Sequence, residues 1–334
     1  MPASPCRFTI LIANHNYGEL VGRAVDSALQ QAYPAELRQV VVVDDGSSDD
    51  SWQRLQAYAG TPGVVLVQQP NRGQTAALAH GLQHASGDFV CLLDSDDTCL
   101  PDKLAALAEH IATLGATPHN LFLCHDLLIR DGPDGEVIDG SYFNHVRVKH
   151  YGPSLNLSVA RHGFPFSVTS GMVFGRALLQ RLMELIPHWE WRYGSDSVLG
   201  HAAMVLLGEV QYLQRPLAHY VVHKDNNLAS IIDGEFVAKP VWQDRAPKNL
   251  RLLEMLIDLL PLSEMERGER LGYVARLEHV GRNTRLNEQH VRPRLSWAVD
   301  TTVAPAPQRS AYIAATRLAI DRQSDAARGV VAVP

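Results

Sequence analysis

The sequence predicts an α/β fold: a mixed, mostly parallel sheet flanked by helices, with a helical extension toward the C-terminal end. Three observations predict it. Over roughly the first 110 residues, short continuous apolar runs alternate with stretches of helical period, as expected of strands covered on both faces and joined by helical crossovers. After Thr113 the alternation loosens, and beyond about residue 240 only helical periodicity remains. A length of 334 residues suits one large α/β domain with an appendage.

The elements follow in order. Phe8 to Ala13 (FTILIA) reads as a buried strand, and Gly18 to Gln31 as a helix whose Leu20, Val21, Ala24, Val25, Ala28 and Leu29 share one stripe. Val40 to Val43 is a β-branched run that stops at Asp44, Asp45 and Gly46, with Ser48 or Asp49 suited to cap the next helix. VVLV at 64–67, a helix over 74–84 and FVCLL at 89–93 continue the rhythm. Pro101 fits the first turn of a further helix, where its missing N–H costs nothing. Such an order implies right-handed crossovers and a Rossmann-like sheet, with ligands gathering beyond the carboxyl ends of the strands. Asn14, Asp44 with Asp45, and Asp94 with Asp96 all fall at those ends.

Farther on, LFLCHDLLIR (121–130) reads as a strand running into Asp-Gly turns, and 139–166 as loops. VTSGMVF (168–174) reads as a strand, 176–186 and 196–207 as helices, and VQYL and LAHYVVH as two more strands. Residues 249–260 and 264–297 are helical in pattern; 301–310 resembles a linker before a poorly ordered tail. These boundaries divide the chain into a domain over 1–235, with halves 1–115 and 116–235, and an extension over 236–334.

Composition narrows the function. Hydrophobic residues make up 46% and charged residues 20%, and the net charge of -6 lacks the clustered basic excess of a nucleic-acid-binding surface. Cys6, Cys91, Cys99 and Cys124 have no metal-like spacing, which points to reduced thiols and a cytoplasmic setting. No signal-like leader or apolar span of membrane length is apparent. The glycines at 46, 73 and 87 form neither a dinucleotide-binding fingerprint nor a P-loop. His80 and His84, four apart on a helix, lack an acidic third ligand nearby in sequence and read as surface residues.

The strongest chemical signal is VCLLDSDDTCLPDKL at 90–104: three carboxylates in four positions directly after an apolar strand. Crowded carboxylates repel, and burying them unpaired is costly. Either they form a loop and cap cluster, or a hard divalent cation compensates them. Asp96 is the metal candidate, and Asp94 can share the cation or bind a ribose hydroxyl.

At this point the chain resembles a known family. LIANHNYGELVGRAVDSALQQAYP, VVVVDDGSSDDS and QPNRGQTAALAHGLQHASGDFVCLLDSDDTCLPDKL are similar, in order, to the signature segments of family 2 inverting glycosyltransferases, whose fold is the A-type nucleotide-sugar-binding fold. The likeness covers about residues 8 to 110 and extends more weakly to SGMVF (170–174) and YVVHKDNNLAS (220–230). It implies that Asp44 accepts a hydrogen bond from the nucleobase with Asp45 nearby, and that Ala13, Asn14 and Asn16 line the base pocket. Asn71, Arg72 and Gly73 would close over the nucleotide, with Asp94 and Ser95 beside it. Asp96, and His223 as in some members, would hold Mn²⁺ or Mg²⁺ on the diphosphate.

The resemblance further implies a catalytic base on a helix-opening acid. In HWEWRYGSDSVLGH the match is Asp196, although Ser195 precedes it where an acid is common; Glu190 is the second candidate, and a plain helix cap is the structural alternative. Trp189 and Trp191 read either as an apolar face for an acceptor sugar or as core anchors. The implied donor is a nucleoside-diphosphate sugar, with UDP the commonest nucleotide. The implied acceptor is a glycan or lipid-linked hydroxyl, which brings peripheral contact with a membrane. Two other readings stand beside this one: a non-catalytic nucleotide-sugar-binding protein, and a haloacid-dehalogenase-type phosphohydrolase, since DSDDT also fits DxDxT. The latter lacks a convincing later lysine motif, and its acidic pairs lie upstream.

Overall fold

A computed structural model describes residues 5–143, 166–188, 191–224, 226, 229–232, 235–238 and 246–289. Four parallel strands form its first half: β1 (Phe8–Asn14), β2 (Arg38–Asp45), β3 (Val64–Gln69) and β4 (Phe89–Asp94). Helices α1 (Gly18–Leu29), α2 (Ser51–Leu55) and α3 (Gln74–Leu82) cross between them. Because side chains alternate across a strand, Ile10, Ile12, Val40 and Val42 bury against Val21, Ala24, Val25 and Ala28 of α1, while Leu11, Val41 and Val43 bury against Ala77 and Leu78 of α3. Each such aliphatic side chain contributes about 1.5–3 kcal/mol on burial. The register sets Asn14 opposite Asp44, and Ala13 opposite Asp94. Three polar strand tips are therefore level at one edge.

The second half comprises β5 (Thr98–Cys99), α4 (Lys103–Leu114), β6 (Phe122–Asp131), β7 (Val137–Asp139), β8 (Met172–Gly175), α5 (Arg176–Leu185), α6 (Ser195–Leu207) and β9 (Gln211–Val222). The sheet runs β3-β2-β1-β4-β8-β6-β9-β5, with β7 paired to β6 and with β8 antiparallel to both β4 and β6. A separate hairpin joins β10 (Ala229–Ile232) and β11 (Glu235–Ala238).

Several boundaries differ from the sequence reading. VQYL and LAHYVVH form one strand, β9, because the intervening Pro216 is accommodated where the β6–β9 register shifts. The segment 168–174 is a strand only from Met172; Thr169–Gly171 is a 3-10 turn. Pro101 lies just before Asp102, the N-cap of α4, rather than inside the helix. Asp49 serves two helices: its oxygens accept the N–H of Gly18 (2.9 Å), which opens α1, and of Ser51 (3.0 Å), which opens α2. The loops expected over 139–166 fall largely, and the linker and tail wholly, outside the described residues.

The C-terminal helices α7 (Ala246–Leu259) and α8 (Glu264–Gln289) share the main core through Leu252, Leu253, Leu256, Tyr273 and Leu277. They also bind α6 and its approach through polar contacts: Trp191 Nε1 donates to Asn249 Oδ1 (2.8 Å), and Asn249 Nδ2 donates to Ser197 Oγ (2.9 Å). Among the described residues no helix is long and apolar enough to cross a membrane.

Candidate active site

A cavity of about 860 Å³ opens beyond the carboxyl ends of β1, β2 and β4. The first half lines it with Ala13, Asn14, Asn16, Asp45, Asn71, Gly73, Asp94, Ser95 and Asp96; the second half adds Asp196 and His223. Eleven of the thirteen residues singled out from sequence thus meet at one cleft. Asp44 and the Arg72 side chain do not line it.

Asp44, expected from the resemblance to meet the nucleobase, is not among the residues that line the cavity. It is fully buried. Asn14 Nδ2 (3.1 Å) and Ser47 Oγ (2.5 Å) donate to its Oδ1, and Gln68 Nε2 (3.3 Å) to its Oδ2. These bonds tie the tips of β1, β2 and β3 together. Asp45 lines the cleft and anchors the loop beside it: Gln69 Nε2 and the Arg72 N–H donate to Oδ1 (2.7 and 2.8 Å), and the Gly73 N–H donates to Oδ2 (2.7 Å). Arg72 thus contributes its backbone, while its side chain is exposed. Gly73 adopts φ +94°, a conformation that favours glycine.

Sequence reasoning missed His15. Its Nδ1 lies 2.9 Å from the carbonyl of Asp45, an acceptor, so Nδ1 carries the proton and Nε2 accepts from Asn71 Nδ2 (2.9 Å). Asn16, in the left-handed region at φ 60°, accepts the Ser48 N–H on Oδ1 (2.7 Å). His15 would have been found from its place, directly after the polar tip of β1 at Asn14.

At the tip of β4, carboxylate oxygens of Asp94, Asp96 and Asp97 lie within 4.8 Å of one another. Asp97 is turned inward, 1% exposed, accepting from Ser170 Oγ (2.5 Å) and the Val221 N–H (2.8 Å). Asp94 and Asp96 face the cleft, and His223 Nε2 lies 3.1 Å from Asp96 Oδ2, with the Tyr17 ring edge-on to the imidazole. Burial first, then Asp96 and Asp196, raise the Asp94 pKa well above the usual carboxylate range; burial, Asp96 and Asp94 do the same to Asp97. The cluster is therefore short of positive charge on the cleft side. Two hard carboxylates and an imidazole form a donor set that suits a divalent cation. Behind them, the fully buried Lys103 donates through Nζ to the carbonyl of Ser170 (3.0 Å), whose hydroxyl also accepts the Asp94 N–H (3.0 Å).

Across the cleft, Gly194 in the left-handed conformation (φ 74°) starts α6. Asp196, in its first turn, lines the cavity at 7% exposure, and its Oδ1 accepts the Ser197 N–H (2.7 Å). The N-cap position is held by Gly194, and no side chain caps the helix, so the plain cap expected as the structural alternative for Asp196 is not formed. Trp191 is a core anchor, 3% exposed, and does not line the cavity; Trp189 and Glu190 lie outside the described residues.

Comparisons with known proteins bear on the family and the fold. The model of glycosyl transferase family 2 matches residues 9–117. A glycosyltransferase of Nostoc sp. is 30% identical over 230 residues, 66% of this chain and 66% of its own length. Glycosyltransferase GlyA of Streptococcus pneumoniae is 24% identical over 65% of this chain and 31% of its own, and the succinoglycan biosynthesis protein ExoU of Rhizobium meliloti is 33% identical over 41% and 42%. The chain thus spans from about a third to two thirds of the length of these relatives. Among solved structures, Staphylococcus aureus TarS 1–349 superposes with a TM-score of 0.60 at 18% identity, over 96% of this chain and 82% of that one. Its complex with UDP-GlcNAc gives 0.58 at 18% identity, over 85% and 76%. The likeness to TarS shows a shared fold.

Proposed function

The chain belongs to glycosyltransferase family 2, and from that premise we propose that it moves a sugar from a nucleoside-diphosphate donor to a hydroxyl of a glycan or lipid-linked acceptor, with inversion at the anomeric carbon. One observation carries the reading: Asp94, Asp96 and His223 share a single cavity with the Asn14, His15, Asp45, Asn71 edge on one side and Asp196 on the other. UDP is the nucleotide of choice because TarS, of the same fold, has been solved with UDP and with UDP-GlcNAc. Surface polysaccharide synthesis is the favoured pathway, since relatives include succinoglycan biosynthesis proteins and an undecaprenyl-phosphate 4-deoxy-4-formamido-L-arabinose transferase. The four free thiols accord with work in the cytoplasm, with peripheral contact at the inner membrane face when the acceptor is lipid-borne.

In this reading Asn14, His15, Asp45 and the 71–73 loop hold the nucleoside, and Asp94 takes a ribose hydroxyl or shares the cation. Asp96 and His223 would hold Mn²⁺ or Mg²⁺. When bound, such a cation neutralises the charge that builds on the departing diphosphate. Asp196 accepts the proton of the acceptor hydroxyl as its oxygen bonds to the anomeric carbon and the bond to the diphosphate breaks. Attack from the face opposite the leaving group inverts the centre. A phosphohydrolase is disfavoured: Asp94 ends the fourth strand of a family 2 segment rather than an early strand.

The test is a thermal-shift panel of nucleotide sugars with and without Mn²⁺, repeated on Asp96→Ala. A donor at 100 times its Kd adds about 2.7 kcal/mol, a shift of several degrees. Stabilisation by one donor that requires both metal and Asp96 is the expected result; a response that persists in the variant removes Asp96 from its role. A non-catalytic binder is the second reading, favoured by the engagement of Asp196 Oδ1 with the Ser197 N–H. It wins if metal-dependent UDP binding persists while neither transfer nor donor hydrolysis is detectable.

A further inference from the structure

Gln74 opens α3 where the 71–73 loop meets the second half of the chain. Three of its groups are engaged at once. Its backbone N–H donates to the carbonyl of Arg192 (2.8 Å), its Nε2 donates to Asp94 Oδ1 (2.7 Å), and its Oε1 accepts the N–H of Ser195 (3.5 Å). Ser195 is the first residue of α6 and the neighbour of Asp196. The backbones beneath this bridge are pressed together. A Cβ at Gly73 would stand 2.5 Å from Arg192 Cα, and the Arg192 guanidinium donates to Asn71 Oδ1.

We infer that Gln74 is a positioning residue that fixes the separation of Asp94 from Asp196 and thereby couples the donor side of the cleft to the acceptor side. The inference rests on the donor and acceptor reading proposed above. Its chemistry is specific to a carboxamide. Asp94 lies near two further carboxylates, Asp96 and Asp196, so its oxygen requires a donor. The Ser195 N–H, one of the first-turn amides that a helix leaves unsatisfied, requires an acceptor. Glutamine offers both on one rigid plane; lysine offers only donors, glutamate only acceptors, and methionine neither in useful strength. The 71–73 loop, held to Asp45 on one side and to Arg192 on the other, would transmit nucleotide binding to the same helix start.

Double-mutant cycles on the full chain test it, with Mn²⁺ and UDP as the calorimetric probe and UDP-sugar hydrolysis to water as the kinetic one. Gln74→Met should weaken Mn²⁺·UDP binding and lower kcat of hydrolysis by about tenfold each, as loss of a charge-assisted hydrogen bond implies. On an Asp94→Asn background the binding effect should shrink below about twofold, and on an Asp196→Asn background the kcat effect should do the same, because interacting sites are non-additive. Gln74→Asn, one methylene too short to span the gap, should repeat the pattern if the methionine variant folds poorly. Additive losses on either background, or no loss in the single variants, overturn the coupling. A wild-type chain that binds no Mn²⁺·UDP fails differently: it refutes the donor reading, and this inference falls with it.

Discussion

The two halves of the sheet present their polar groups by opposite means. In β1, β2 and β4 an unbroken parallel register carries Asn14, Asp44 and Asp94 to one level. In the second half β8 runs antiparallel, β9 slips register against β6, and three of the residues that reach the cleft sit in turns or at element ends: Thr169 in a 3-10 turn, Asp196 in the first turn of α6, His223 just past β9. Regular pairing gives a rigid floor, whereas turns give a wall whose placement depends on packing from elsewhere. The floor suits a constant ligand such as a nucleoside diphosphate, and the wall suits a partner that varies.

The largest expected effect separates the two. Asp196→Asn, on the wall, should lower kcat of transfer by about 10²- to 10⁴-fold, as for loss of a general base, with donor KM nearly unchanged. Asp45→Ala, on the floor, strips acceptors from the N–H groups of Arg72 and Gly73. It should instead raise donor KM by about tenfold or more, since a lost hydrogen bond to a charged group costs about 1.5–3 kcal/mol. Steady-state kinetics with the donor found by the thermal-shift panel reads both. If the two variants fall in the same parameter, the division of labour is wrong.

Much of the floor was legible in the sequence, because β-branched runs ending in Asp or Asn mark buried parallel strands whatever lies around them. The helices and strands of the wall were read from pattern, but its cleft residues Asp196 and His223 were legible only through resemblance. Nothing local in VTSGMVF says that Ser170 will turn its hydroxyl between the Asp94 N–H and the Asp97 carboxylate, which is what replaces the start of a strand by a 3-10 turn. The surroundings of Asp44 were hidden for a related reason: a strand-end carboxylate looks the same in sequence whether it lines a cleft or, as here, bonds to Asn14, Ser47 and Gln68. Gln74 was passed over because its partners, Asp94 and Ser195, lie 20 and 121 positions away.

A smaller effect concerns acid. The wall holds His201 and His219, whose pKa values are pushed down to about 3 and about 4, in both cases chiefly by burial. His125, fully buried in β6, is lowered too, by burial and then by Lys103. His80 of α3 and His110 of α4, also lowered by burial, are less buried. An unfolded histidine takes a proton near pH 6.5, whereas these stay neutral when folded. Their contribution is complete above about pH 6.5 and is lost as pH falls from there toward about 4 and 3, at up to about 1.4 kcal/mol per unit for each. Hydrogen exchange at pH 5 should therefore show α6 and β9 opening before β1 to β4. His201→Phe, which keeps a ring beside Phe166, should flatten the dependence of Tm on pH. Uniform loss of protection across both halves would mean that floor and wall unfold as one.

The smallest effect belongs to a surface contact between the halves. Arg23 of α1 pairs with Asp134, in the turn after β6, through two bonds of 2.7 and 3.0 Å, and also donates to the Pro133 carbonyl (3.0 Å). The geometry is bidentate, and the hydrogen bond from Arg23 holds the Asp134 carboxyl below its ordinary pKa. Both side chains are nevertheless exposed, at 46% and 79%. A depressed carboxylate pKa contributes only above its unfolded value and fades as acid protonates it, and in water salt screens what remains. Arg23→Ala should leave Tm within about one degree of wild type at physiological salt. A drop of several degrees, abolished by high salt, would show that floor and wall are held in place by charge at the surface. The alternative is the apolar core they share, in which Leu92 of β4, Phe174 of β8 and Leu199 of α6 belong to one buried cluster.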